Sequence, residues 1–326
     1  MQDQYTKIPT LDIGPYLNGE EGALEELGAK VAHIQENIGF LMLVNHGLDL
    51  ATLNAVYDKL KAFFALPMEA KLKYKINELS LGYIPPKSTI YVSSKINKNT
   101  KKDLNETLTL ALDRPSEHPW VKDEMRFVGP NQWPDEIEGL QEAICAYQSE
   151  VLTLGRKILP IYAVALGQAP EFFDEFFTDP VMWSRNAHYP AVEAEENQFG
   201  IAPHCDHSFL TILPVSEVSG LQVLTPNEQW VDAEYVEGGI LVNTGEYLNR
   251  WTNGRFMATP HRVIPPQEDR YSVATFFNPN PDTVAVPMDT CVSDDSPKQY
   301  DPISLMDYVS WYIDTNYKSD SGGKQA

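Results

Sequence analysis

The sequence predicts an α+β protein, with helices dominating its first half and short antiparallel strands its second. Three observations predict this. Apolar residues recur at helical spacing around positions 24–38, 53–64 and 137–158. From Met182 onward, short aliphatic and aromatic runs alternate with turn residues, the texture of an antiparallel sandwich or barrel. The chain has 326 residues, 43% of them hydrophobic, enough for a large core in one big domain or two closely packed lobes.

In chain order, Ile8 to Ile13 reads as a short opening strand. Leu24, Leu27, Val31, Ile34 and Ile38 form the apolar stripe of a helix that Gly39 ends. Phe40 to Val44 is an apolar run suited to a buried strand, closed by the turn Asn45-His46-Gly47. Leu53, Val56, Leu60, Phe63 and Phe64 mark a second helix that stops before Pro67. From Ser80 to about Asp113 the pattern weakens and reads as a loop-like region of the kind that carries binding residues. Its lysines, Lys95, Lys98, Lys101 and Lys102, read as a solvated face. A long helical region follows from about Pro134 to Leu166, with a kink or break expected at Pro160. Strands are expected at Trp183 to Tyr189, Phe209 to Leu213, Gly220 to Leu224, Ile240 to Val242 and Tyr271 to Phe277. A closing helix spans about Ile303 to Tyr317, and a small, polar, disordered tail runs from Ser319 to Ala326. There are no internal repeats.

Composition narrows the function classes. The net charge is −21, from 46 acidic and 25 basic residues, which disfavours nucleic-acid phosphates and anionic membrane surfaces. No apolar run approaches the roughly 20 residues of a membrane helix, and Met1-Gln2-Asp3-Gln4 opens no signal peptide. The three cysteines, Cys145, Cys205 and Cys291, form no framework and suit a reducing, cytoplasmic compartment. The glycosylation triplet Asn105-Glu106-Thr107 carries no weight without a secretory signal.

The chemistry concentrates at Pro203-His204-Cys205-Asp206-His207. In an extended strand His204 and Asp206 share one face and Cys205 takes the other. An imidazole beside a carboxylate is two-thirds of the 2-His-1-carboxylate triad of non-heme Fe(II), and His261, 55 positions past Asp206, is the candidate third ligand. Alone, His-x-Asp is weak evidence and reads more often as a hydrogen-bonded pair. By the same alternation Arg270 and Ser272 share a face, a guanidinium and a hydroxyl suited to clamping a carboxylate. In Arg185-Asn186-Ala187-His188-Tyr189-Pro190, alternation puts Arg185, Ala187 and Tyr189 together, and the Tyr189 phenol could join that clamp. Alternation points His207 away from the metal side. His33 and His118 lack supporting context.

Taken together these pieces resemble one family. Asn45-His46-Gly47, Gly82-Tyr83, His204-x-Asp206, Gly220-Leu221-Gln222-Val223, Asn243-Thr244-Gly245-Glu246, Thr252-Asn253-Gly254-Arg255, His261-Arg262-Val263 and Arg270-x-Ser272 follow in the order of the Fe(II)/2-oxoglutarate-dependent oxygenase superfamily, isopenicillin N synthase-like branch. The resemblance runs from about Lys7 to Tyr317. It implies a double-stranded β-helix (jelly-roll) core with flanking helices. The implied division is an N-terminal α/β lobe over 1–115, a helical connection over 116–177, the jelly-roll core over 178–285, and a C-terminal helix and flexible tail over 286–326. It implies Fe(II) on His204, Asp206 and His261, and 2-oxoglutarate with its far carboxylate on Arg270, Ser272 and Tyr189. His46 belongs to a structural signature. Two positions depart from the common R-x-N-Y-Y-P pattern, Ala187 and His188, and the small Ala187 leaves space for substrate.

The implied activity is oxidation of a small molecule, secondary-metabolite or amino-acid-derived, by hydroxylation, desaturation or oxidative cyclisation. O2 is consumed, and succinate and CO2 are released. Arg185, Tyr83, Thr107, Phe277 and Asn278 are the substrate-contact candidates, with Arg185 suited to a carboxylate-bearing substrate. Three other readings share these residues: an Fe(II) oxidase of the same fold that uses no 2-oxoglutarate, a non-catalytic jelly-roll binding module, and a metal-free hydrogen-bond network. The sequence is silent on the substrate and the oligomeric state.

Overall fold

A computed structural model describes residues 5–92, 94 and 96–319. The readings of the Met1-Gln2-Asp3-Gln4 terminus, of Lys95 and of the tail beyond Ser319 lie outside the described residues. The chain runs β1 (Thr10–Asp12), α1 (Gly14–Leu17), α2 (Ala23–Asn37), β2 (Phe40–Val44), α3 (Leu50–Phe64), α4 (Met68–Leu72), β3 (Gly82–Ile84), β4 (Thr89–Tyr91), β5 (Glu106–Ala111), α5 (Pro119–Lys122) and α6 (Leu140–Ala165). It continues with β6 (Met182–Tyr189), β7 (Ile201–His204), β8 (Leu210–Pro214), β9 (Leu221–Leu224), β10 (Trp230–Asp232), β11 (Ile240–Thr244), α7 (Glu246–Trp251), β12 (His261–Val263), β13 (Arg270–Phe277), β14 (Val284–Ala285), β15 (Ile303–Ser304), α8 (Leu305–Asn316) and β16 (Tyr317–Ser319).

The strands form a major sheet, β1-β2-β11-β8-β13-β6-β5-β3, and a minor sheet, β10-β9-β12-β7. Residues from both line one cavity between them. Four major-sheet strands, β1, β2, β3 and β5, come from the first 115 residues, so the N-terminal segment extends the barrel sheet. The five apolar residues of β2 leave only Val44 partly exposed, as the unbroken apolar run requires. Gly39 ends α2 at φ +67°, and a side chain there would collide with the Met257 carbonyl. No helix among the described residues is long and apolar enough to cross a membrane.

The structure differs from the sequence expectation in two elements. The region from Ser80 to Asp113 contains β5, whose six residues are all buried. Thr107-Leu108-Thr109-Leu110 alternates at a period of two, which is a strand signal, and the structure buries both faces of that strand. The long helix α6 passes through Pro160 without ending. Ile158, Leu159, Ile161 and Tyr162 around it are all buried, and that packing offsets the one backbone hydrogen bond that proline removes.

A buried charge cluster joins the early helices to the barrel. Glu106 accepts from Lys71 Nζ at 2.7 Å, from the Tyr83 hydroxyl, and from His188 Nδ1 at 2.8 Å. Lys71 also donates to the Phe64 carbonyl at 2.9 Å. The His188 ring stacks on Tyr271 with centroids 4.8 Å apart. Burial pushes the Glu106 carboxyl up, but its hydrogen bonds to His188, Lys71 and Tyr83 outweigh that and hold its pKa below the usual carboxylate range. Tyr83, a substrate-contact candidate in the sequence, is therefore a structural residue, fully buried with its hydroxyl on Glu106.

Glu106→Gln removes the charge that compensates buried Lys71. It should lower unfolding free energy by about 3–5 kcal/mol in denaturant titration. Because its folded pKa is depressed, the wild-type contribution is present above the unfolded carboxylate pKa and is lost as pH falls through the folded value. The difference between the two proteins should shrink in acid.

Candidate active site

His204 is the last residue of β7, and its register partner is His261, the first residue of β12. Strand pairing alone thus sets the two imidazoles side by side, with ring centroids 4.4 Å apart. Asp206 lies just past the end of β7, in the turn, and reaches back: its Oδ1 is 3.9 Å from His204 Nε2 and 3.6 Å from His261 Nε2. One ligand atom from each residue falls within 4.8 Å of the others, and no other such group occurs among the described residues.

The remaining heteroatoms are already occupied. His204 Nδ1 donates to the Ala202 carbonyl at 2.8 Å, and His261 Nδ1 to the Thr259 carbonyl at 3.1 Å. Both Nε2 atoms are left with a lone pair facing inward. Asp206 Oδ2 accepts from Thr211 Oγ1 at 2.7 Å and Asn243 Nδ2 at 2.8 Å, leaving Oδ1 for the centre. Burial would raise the Asp206 pKa, but the two imidazoles and these hydrogen bonds hold it below the usual carboxylate range. Burial and the neighbouring His261 push His204 down, so its imidazole is neutral near pH 7. Two nitrogen lone pairs and one carboxylate oxygen, with an open side, fit a first-row divalent ion of the Fe(II) type.

The turn that carries Asp206 is clamped. A Cβ on Gly245 would collide with the Ser208 carbonyl oxygen, so only glycine lets the end of β11 pack there. Glu246 N donates to the Asp206 carbonyl at 2.7 Å. From α8, the Tyr312 hydroxyl donates to the Cys205 carbonyl and meets the Tyr91 hydroxyl of β4.

The triad lines a cavity whose opposite wall holds Arg270, Ser272, Tyr189, Ala187 and Arg185. Arg270 is 3% exposed. Its Nε donates to the Val218 carbonyl at 3.2 Å, and its guanidinium carbon lies 5.1 Å from the centre of the Tyr189 ring. Its Nη1 is buried without a partner. Burial disfavours the arginine charge, so an unpaired nitrogen there calls for an anion, and the pairing with Ser272 suits a carboxylate.

A second cavity shares Arg185, His207 and Phe276 with the first. Its wall mixes the rings of Phe127, Trp183 and Phe276 with three isoleucines and the hydroxyls of Ser80, Thr89 and Thr109, and Phe127 stacks on Trp183 at 4.3 Å. Arg185 stands where the two cavities meet. His207, which the sequence reads as a wall residue turned from the metal, does line the wall, but of the cavity that holds the triad. The strand ends at His204, alternation no longer applies, and His207 lines both cavities, with burial pushing its pKa down to about 4.

Phe277 and Asn278 line neither cavity. Alternation from Arg270 sends Phe276 inward and Phe277 outward, where it stacks on Phe177 at 4.9 Å. The Asn278 amide is used on backbone, accepting from Phe209 N at 2.9 Å. Sequence reasoning missed Phe276, which that alternation would have found. It also missed Asn243 and Thr211, which only the fold brings to Asp206. Thr107 lies on the inward face of β5, opposite Ala187.

Comparison with known proteins agrees with this geometry. The family model for the non-haem dioxygenase in morphine synthesis N-terminal region matches residues 8–136, and that for the 2OG-Fe(II) oxygenase superfamily matches residues 180–279. Kihadalactone A synthase of Citrus sinensis is 34% identical over 83% of this chain and 82% of its own length. The 2-oxoglutarate-Fe(II) type oxidoreductase hxnY of Emericella nidulans is 32% identical over 93% and 88%. A full-length Neurospora crassa protein crystallised in complex with alpha-KG superposes with a TM-score of 0.81 at 27% identity, covering 94% of this chain and 96% of that one. With its sheets closed around a His-Asp-His cluster and these relatives along nearly its whole length, the chain belongs to the 2OG-Fe(II) oxygenase superfamily, as a dioxygenase that uses Fe(II), 2-oxoglutarate and O2 on a small-molecule substrate.

Proposed function

We propose that His204, Asp206 and His261 hold the iron, that Arg270, Ser272 and Tyr189 hold the far carboxylate of 2-oxoglutarate, and that the second cavity takes the body of the substrate. One observation carries the reading: a buried guanidinium with an unpartnered Nη1 faces the same cavity as three converging metal-ligand atoms. Bound there, Fe(II) with 2-oxoglutarate and O2 supplies the oxidising power for removing hydrogen from the substrate, with succinate and CO2 as coproducts.

The protein's part is positional. The backbone carbonyls of Ala202 and Thr259 fix the histidine tautomers, and Asn243 and Thr211 turn one carboxylate oxygen of Asp206 inward. Arg270 and Ser272 anchor the cosubstrate at its far end. Phe127, Trp183 and Phe276 give the substrate chamber apolar surface beside the hydroxyls of Ser80, Thr89 and Thr109, and the two cavities meet at Arg185, His207 and Phe276. An apolar, ring-bearing small molecule suits these walls. Relatives named as synthases of kihadalactone A and azadirone, and the Neurospora crassa structure holding thymine, support a compact organic substrate of the secondary-metabolite kind. The net charge of −21 and three cysteines without a disulfide support a cytoplasmic enzyme that binds neither nucleic acid nor membrane.

Anaerobic titration with Fe(II) and 2-oxoglutarate should develop the weak visible metal-to-ligand charge-transfer band. In Arg270→Ala the apparent Kd for 2-oxoglutarate should rise by about 30-fold or more. An unchanged Kd would remove Arg270 from cosubstrate binding. Asn243→Ala takes away one of the two hydrogen bonds on Asp206 Oδ2. Its iron affinity, read by competition with a chelator, should fall by about 10–100-fold.

A further inference from the structure

The imidazole of His207 is used differently from its neighbours. His46, His118, His188, His204 and His261 all have Nδ1 in a hydrogen bond to a protein group. His207 Nδ1 is buried without a partner. Among the described residues nothing hydrogen-bonds to its Nε2 either, and that nitrogen is not sealed off as Nδ1 is. The residue is only 6% exposed, and it lines both cavities, so what its ring offers is offered to cavity space. Native folds leave few buried polar groups in this state.

The ring is also held in place. Its centroid lies 5.5 Å from that of Trp183, 4.9 Å from Phe276 and 5.0 Å from Tyr312, the last nearly perpendicular at 85°. Tyr312 is itself tied by its hydroxyl to the Cys205 carbonyl. A ring that only filled space among three aromatic side chains would need no nitrogen. A braced imidazole with free nitrogens is instead preorganised for a ligand, since little side-chain freedom is left to lose on binding.

The position decides what kind of ligand. A substrate whose body fills the second cavity and whose reacting carbon reaches the first must pass His207, because the two cavities join there. An imidazole with one proton has one N–H and one lone pair. Folds leave a buried acceptor unpaired more readily than a buried N–H. With Nδ1 sealed, the proton therefore belongs on Nε2, and the group pointing into the junction is a donor. An apolar substrate filling the junction would strand that donor, whereas one with an acceptor oxygen there would satisfy it.

We propose that His207 is a specificity-determining residue that donates from Nε2 to a carbonyl oxygen of the substrate, such as that of a ketone or ester, at the junction of the two cavities. The hydrogen bond sets which carbon faces the triad. This deepens the proposed function, names the substrate group for that same site, and rests on that reading.

The test uses acetophenone and α-methylstyrene, which share one shape and differ in C=O against C=CH2. Each is titrated calorimetrically under nitrogen into full-length protein supplied with Fe(II) and 2-oxoglutarate. Acetophenone should bind about fivefold tighter. In His207→Phe, and equally in the smaller His207→Leu, that preference should vanish, with α-methylstyrene binding at least as well as before. His207→Gln, which keeps an N–H donor, should retain a preference. Equal binding of the two probes to the wild type, no saturable acetophenone binding, or an unchanged preference in His207→Phe and His207→Leu would each overturn the proposal. The charge-transfer band is recorded on the same samples and should persist in all three variants. Its loss in the variants alone would put His207 in the metal site and also overturn the proposal. Its absence from the wild type would count against the cosubstrate site, while the probe comparison still decides His207.

Discussion

Asp206 is a carboxylate kept ionised inside an apolar β-sandwich, and much of the fold is the arrangement that makes this affordable. Desolvation alone would protonate it. Two imidazoles from paired strands, an amide from β11 and a hydroxyl from β8 reverse that preference. Each contribution comes from a different strand, so the charge is stable only when both sheets are closed. The glycine at 245 and the Tyr312 hydroxyl then hold the turn that carries it. Fold and site are in this sense one construction: the β7–β12 register that completes the minor sheet also sets the histidines.

The molecule treats its buried polar groups in two distinct ways. Glu106 is saturated, with Lys71, Tyr83 and His188 all on its carboxylate, and it lines neither cavity. Such a network fixes how the early helices sit on the barrel. Arg270, by contrast, keeps an unpartnered nitrogen in the cavity that the triad lines. An unsatisfied buried group costs stability. The fold tolerates that cost where a ligand is to be received.

Strand β6 shows both uses on its two faces. His188 turns outward, stacks on Tyr271 and binds Glu106, while Ala187 turns inward between Thr107 and Ser272. The two departures from the common family pattern are thus adjacent residues with opposite tasks. One adds a hydrogen-bonding partner to the structural cluster, and the other withdraws bulk from the catalytic wall.

The sequence by itself determined which residues could do the chemistry. Arg270, Ser272 and Tyr189 were legible as candidates because strand alternation is local, and a period of two survives without knowing any partner strand, whereas His204, Asp206 and His261 stood out by motif order. The helices around Val31, Val56 and Val151 were legible for the same reason, as stripes at a period of 3.6. Tertiary structure alone decided the rest. Asn243 and Thr211 reach Asp206 only through the β8–β11 pairing. Tyr83 left the substrate list when Glu106 was found beneath it, and His207 joined the cavity because β7 stops at His204. Local periodicity reports which way a side chain points within its own element. What it meets there depends on pairings between residues far apart in the chain, and only the closed sheets supply those.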